Sequence, residues 1–231
     1  PLVAPYNREP QFTLLAQRLT RWGDLDMLGS YTAFEHSSLV TARRTVVNPS
    51  FSMPLQNAYA HVTPKIGAHV THYAIGSNNA SGLPNATRSL PVFSADSGVV
   101  FEREMETRGQ KLIQTLEPKA YYVYIPYKNQ NLLPNFESGL QDINFATIFT
   151  ENQFSGQDRI NDANQLTLGL STRFIDAGNG IERLRAAVAQ RYYFEPQRVT
   201  VPGVPSRASD SHSSDLLATI SGNIAKNWTG D

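Results

Sequence analysis

The sequence has no cysteine in its 231 residues, which removes disulfides, thiol catalysis and cysteine-ligated metals from its chemistry. It also lacks any apolar run of the ~18 residues an ordinary transmembrane helix needs. Charge of one sign is not in excess: 20 Lys and Arg stand against 20 Asp and Glu. The balance gives no global attraction to nucleic acid or to an anionic surface. No GxGxxG, P-loop, HExxH or GxSxG motif is present, so no catalytic residue, cofactor or metal is expected and the chain does not read as an enzyme. It begins at Pro1 without an initiator methionine or a signal segment, and so reads as processed, trimmed or part of a larger protein.

What is present is alternation. Residues 111–127, KLIQTLEPKAYYVYIPY, contain no glycine and are rich in aromatic and β-branched side chains, which predicts a long strand. The clearest pattern runs from Ala58 to Val70. Val62, Ile66, Ala68 and Val70 share one parity there, and Tyr59, His61, Thr63, Lys65 and His69 share the other. Comparable periodicity predicts strands over 11–20, 25–36, 42–53, 89–106, 164–174, 183–195 and 212–228. Pro49 removes a ladder donor and predicts an edge, a bulge or an interruption.

Turns near Trp22, Leu55, Arg108 and Gly178 alternate with long connections at 75–88, 128–161 and 196–211. The second of these suggests a short helix carrying Phe136, Leu140, Ile143 and Phe149. Alternating short and long connections are the habit of an up-and-down membrane barrel. The fold class expected is therefore all-β: an antiparallel transmembrane β-barrel segment of about nine long strands from a larger barrel.

The tempting sites have ordinary readings beside them. His61, His69 and His72 invite a metal, but strand geometry points His69 and His72 to opposite faces. Glu117, Lys119, Asp158 and Arg159 are acid, base or binding types without a demonstrated convergence. The RYYFEP segment at 191–196 and Tyr121, Tyr122, Tyr124 and Tyr127 could stack on sugars. Tyr122, Tyr124, Tyr127, Tyr192 and Phe194 are expected as membrane-interface anchors, because such rings join an apolar body to a polar or polarisable edge. Arg183, Arg185 and Arg191 share a face that could meet phosphates or simply line a hydrated interior. The NAS, NAT and NWT triplets match a glycosylation pattern that requires a eukaryotic secretory context.

SGVVFERE at 97–104, QTLEPKAYYVYIPYKNQ at 114–130, FSGQDRINDANQLTLGLSTRFID at 154–176 and ERLRAAVAQRYYFE at 182–195 give the chain a family resemblance. It resembles the large barrel subunit of the lipopolysaccharide-assembly machine, the organic-solvent-tolerance family of the Gram-negative outer membrane. The resemblance implies that 1–231 are the central part of an outer-membrane barrel of about 26 strands. It also implies a multi-pass location and a role in placing lipopolysaccharide in the outer leaflet. Implied partners are lipopolysaccharide, a lipoprotein plug, membrane lipid, and periplasmic bridge proteins acting through an amino-terminal domain absent from this sequence; no nucleic acid is implied. In that role the polar parity would face the lumen, making Tyr59, His61, Lys65, Glu117, Lys119, Arg173, Arg183, Arg185 and Arg191 candidate lumen or plug contacts. A passive porin-like barrel and a soluble carbohydrate-binding β protein are the alternatives.

Overall fold

The computed structural model describes residues 5–107, 109–201, 212–225 and 228–230. They form one antiparallel sheet. Its strands are β1 (Gln11–Thr20), β2 (Gly23–Phe34), β3 (Ala42–Ser52), β4 (Leu55–Gln56), β5 (Ala60–Ile75), β6 (Ala86–Val99), β7 (Phe101–Thr107), β8 (Gln110–Ile125), β9 (Ala163–Asp176), β10 (Glu182–Tyr193), β11 (Leu217–Ala225) and β12 (Trp228–Gly230). Along the sheet the order is β1-β2-β3-β5-β6-β8-β9-β10-β11-β12, with β4 on β5 and β7 on β8. Apart from the short β4 and β7, which lie off this path, each strand pairs with the next in sequence, so the short connections gather at one end and the long ones at the other.

Local chemistry accounts for most boundaries. Pro49 sits opposite Met27 of β2, while pairing of β3 with β5 lapses at Asn48 and Pro49 and resumes at Ser50. It is an interruption in an interior strand, where a missing N–H costs one rung. The strand expected over 89–106 divides at Val100, whose N–H donates to Tyr59 O at 2.7 Å. Its two halves keep one register against β8, from Phe93 opposite Tyr124 to Thr107 opposite Gln110. The last expected strand is a hairpin of β11 and β12. The helix expected within 128–161 is absent among the described residues, which form turns and bends there. Arg108, most of 196–211, and Asn227 of NWT lie outside the described residues.

Burial is inverted relative to a water-soluble sheet. Along β5 the polar parity is the covered one: His69, Thr71 and Tyr73 are buried while Val62 and Ile66 are exposed. Along β8, Thr115, Tyr121, Val123 and Ile125 are buried, and Leu116 and Tyr124 are exposed. The cover is the connection 126–162, which folds back across the polar face. Ile160 and Phe149 bring apolar side chains down onto Leu90, Val92, Tyr121, Val123 and Ile125.

The expected transmembrane β-barrel segment, with its multi-pass location, is corrected by this topology. Among the described residues β1 pairs only with β2 and β12 only with β11, so their sheet is open at both ends. A barrel requires the first and last strands to exchange hydrogen bonds. The fold of this chain is an open, all-β antiparallel sheet. No described helix is long and apolar enough to cross a membrane.

Candidate functional site

The polar face is organised around the folded-back connection, and arginines from three strands hold it. Arg44 of β3 donates from Nη1 to Asp158 Oδ1 at 2.8 Å and reaches Glu137 Oε1 at 2.6 Å. Tyr73 of β5 donates its hydroxyl to the same Asp158 oxygen at 2.8 Å. The other oxygen of Asp158 accepts the backbone N–H groups of Phe136 and Glu137 at 2.8 and 2.9 Å. Two donors on each oxygen fill the carboxylate's acceptor sites, which is what a fully buried charge requires.

Arg88 of β6 works through neutral acceptors. It donates to Gln130 Oε1 at 2.8 Å, Asp158 O at 2.6 Å, Gln157 O at 2.8 Å and Thr71 Oγ1 at 3.0 Å. Arg191 of β10 donates to Thr147 O, Ile148 O and Thr167 Oγ1. Within the connection, Arg159 donates to Leu133 O and Pro134 O, both at 2.9 Å, and burial lowers its pKa. Carbonyl oxygens accept readily from guanidinium forks, so a backbone without regular structure is pinned at several points.

Toward the short-turn end the polar face is open and its charges alternate. Asp96 lies between His61 at 3.3 Å and Lys119 at 2.9 Å. Glu117 accepts from Arg173 Nε at 2.6 Å and from Thr115 Oγ1 at 2.7 Å. These side chains are partly exposed. On the opposite, apolar face an aromatic group forms: Phe93 and Tyr122 have ring centroids 6.3 Å apart, and Tyr122 and Phe194 6.4 Å apart.

With this geometry in place, the family model described as "LptD: LPS transport system D" matches residues 1–231. The chain belongs to the LptD family. A protein of Thiobacillus denitrificans called LPS-assembly protein LptD is 46% identical over 231 residues, covering 100% of this chain and 31% of its own length. Proteins of the same name from Nitrosospira multiformis and Nitrosomonas eutropha are 43% and 44% identical, covering 96% and 100% of this chain and 24% and 32% of their own lengths. The chain thus spans under a third of the length of these LptD relatives.

The LptD-family sheet brings some expected residues together and separates others. His61, Lys119, Glu117 and Arg173 lie on the open polar zone. Lys65 is drawn to the folded-back connection through Glu151 at 3.1 Å, and Arg191 is buried beneath that connection. Arg183 and Arg185 pair locally with Asp176 at 2.7 Å and Glu182 at 3.0 Å. Tyr59 is exposed at the short-turn end. Tyr122, Tyr124, Tyr192 and Phe194 occupy the apolar face, with Tyr124 opposite Phe93 and both Tyr122 and Tyr192 opposite Leu166. Tyr127 instead lies under Arg198, 3.8 Å from ring centroid to guanidinium carbon.

His69 bonds Gln157 at 2.7 Å on the polar face, whereas His72 bonds Thr87 at 2.8 Å on the other. Among the described residues no group of three or more metal-ligating side chains converges. Arg44 and Arg88 escaped sequence reading. Their signal is an arginine near the start of each strand on its polar parity, with Arg43 on the opposite parity beside Arg44 and Asp96 further along the parity of Arg88. Asp158 and Arg159 were visible as charges but not as the centre of a network.

Proposed function

We propose that this chain serves lipopolysaccharide transport in outer-membrane biogenesis, as a non-enzymatic wall section beside the lipopolysaccharide path. The observation carrying this reading is the inverted sheet. Large side chains such as Phe12, Leu14, Ile66, Phe93 and Ile220 are exposed on it, while a polar face is packed beneath a polar connection. A contiguous apolar face of this kind is not left in water by a soluble protein. Lipid acyl chains cover it in this reading, with Tyr122, Tyr124, Tyr192 and Phe194 at the headgroup level. The open charge-alternating zone around His61, Lys119, Glu117, Arg173 and Arg185 meets a lipoprotein plug and the hydrated part of the cargo. Periplasmic bridge proteins engage parts of the full-length protein outside this chain.

Family membership and the name LPS-assembly protein borne by its relatives support the substrate class. Photo-crosslinking groups at Lys119 and Arg185 of a full-length family protein carrying this sequence test it. Capture of lipopolysaccharide and of a lipoprotein is expected. Solute permeability with neither adduct would instead make the protein a passive pore.

A further inference from the structure

A groove of about 520 Å3 crosses the apolar face over β1, β2, β3 and β5. Its floor follows the place where β3 and β5 stop pairing, at Asn48 and Pro49. There Ala16, Pro49 and Ala68 leave space that the larger Leu25, Met27, Phe51 and Ile66 enclose. Two charged residues line it among those described: Arg18, opposite Leu25 in the register, and Asp26, which pairs with Gln17 and falls on the other parity of β2, toward the polar face. Arg18 forms no ion pair among the described residues, and no carboxylate stands beside it in its row, which continues through Leu25, Phe51, Ile66 and Phe93. At the adjoining turn Arg21 lies 4.4 Å over the exposed Trp22 ring, an arrangement suited to a membrane interface.

We propose that this groove is a binding site for an anionic glycerophospholipid, one acyl chain lying along the groove and the headgroup phosphate on Arg18. The shape and the charge make separate demands. An apolar groove takes any alkyl chain, because burial is proportional to apolar area and has no direction. A cation at the groove's end with no carboxylate in its own row on the apolar face selects a chain that carries an anion. One lining arginine, with a second at the turn, suits a single phosphodiester better than a multiply phosphorylated glycolipid. The long connections lie at the other end of the sheet. The site rests on lipid covering the apolar face.

The test uses a full-length family protein carrying this sequence, purified in detergent and presented with equal phosphatidylglycerol and phosphatidylethanolamine, with retained lipid counted by native mass spectrometry. Retention of phosphatidylglycerol several-fold above phosphatidylethanolamine is expected. Arg18→Gln should remove that preference while leaving total lipid unchanged, and Ala68→Phe, which fills the groove, should reduce retention of both. Equal retention of the two lipids by the unsubstituted protein, or a preference unchanged in both variants, overturns the proposal. So does lipopolysaccharide displacing phosphatidylglycerol in an Ala68-dependent way. Total lipid reports separately on the covered face: loss of all bound lipid removes that reading, whereas loss of the headgroup preference alone removes only the site.

Discussion

Arg44 and Asp158 lie 114 residues apart in sequence and meet at 2.8 Å with both side chains buried. Asp158→Asn leaves Arg44 with Glu137 alone. Removing one partner of a buried pair costs about 3–5 kcal/mol, and the surviving Glu137 contact places this loss near the lower figure. Backbone hydrogen exchange over 126–162 should accelerate while exchange in β1 and β2 stays as it was. Unchanged protection over 126–162 would show that the pair does not hold the connection.

Arg88→Met keeps the stem and removes a guanidinium bonded to Gln130, Asp158 and Gln157. The carbonyl oxygens left in a buried setting lose donors worth about 1.5–3 kcal/mol each for a charged group. Limited proteolysis should cut the connection near Gln130 or Gln157 several-fold faster than in the unsubstituted protein. A cleavage rate equal to that of the parent counts against this anchoring.

Glu117 and Arg173 provide the contrast. Both are partly exposed, at 25% and 31% of the side chain, and exposed pairs contribute about 0–1 kcal/mol. A double-mutant cycle with Glu117→Gln and Arg173→Gln should return a coupling in that range, screened further by salt. A coupling of several kcal/mol would mean that this zone is buried against another chain.

Gly23 has φ +154°, and a Cβ placed there would sit 2.4 Å from Ser52 O and 2.7 Å from the Phe51 ring. The obstacle is backbone of the neighbouring strand, which cannot rotate away. Gly23→Ala should destabilise the β1–β2 hairpin by about 1–3 kcal/mol, read as a lower unfolding midpoint. Gly109→Ala is a useful comparison: its φ of +76° imposes strain, but no atom lies within 4 Å of the added carbon. The Gly109 effect should therefore be backbone strain alone.

The strands were largely legible because alternation is local. Gln11–Thr20 and the starts of β3 and β9 follow from side chains two residues apart, and Pro49 announces its own interruption. The break at Val100 was hidden because alternation continues through it and only a bond to Tyr59 marks it. The candidate site was less legible. Lys119, Glu117 and Arg173 could be assigned to one face, yet their partners depend on which strand lies alongside and in which register. The local pairing of Arg183 with Asp176 likewise needed the actual turn geometry.

By itself the sequence determined that the chain is β-rich, that each strand has a polar and an apolar face, and where the long connections fall. Those properties depend on the two-residue period of the extended backbone. Only the tertiary structure decided that the connection at 126–162 covers the polar face, that Asp158 is the point where Arg44 and Tyr73 meet, and that the sheet remains open. Each is a relation between segments far apart in the chain. Register and loop path set such relations, and no periodicity within a single strand encodes them.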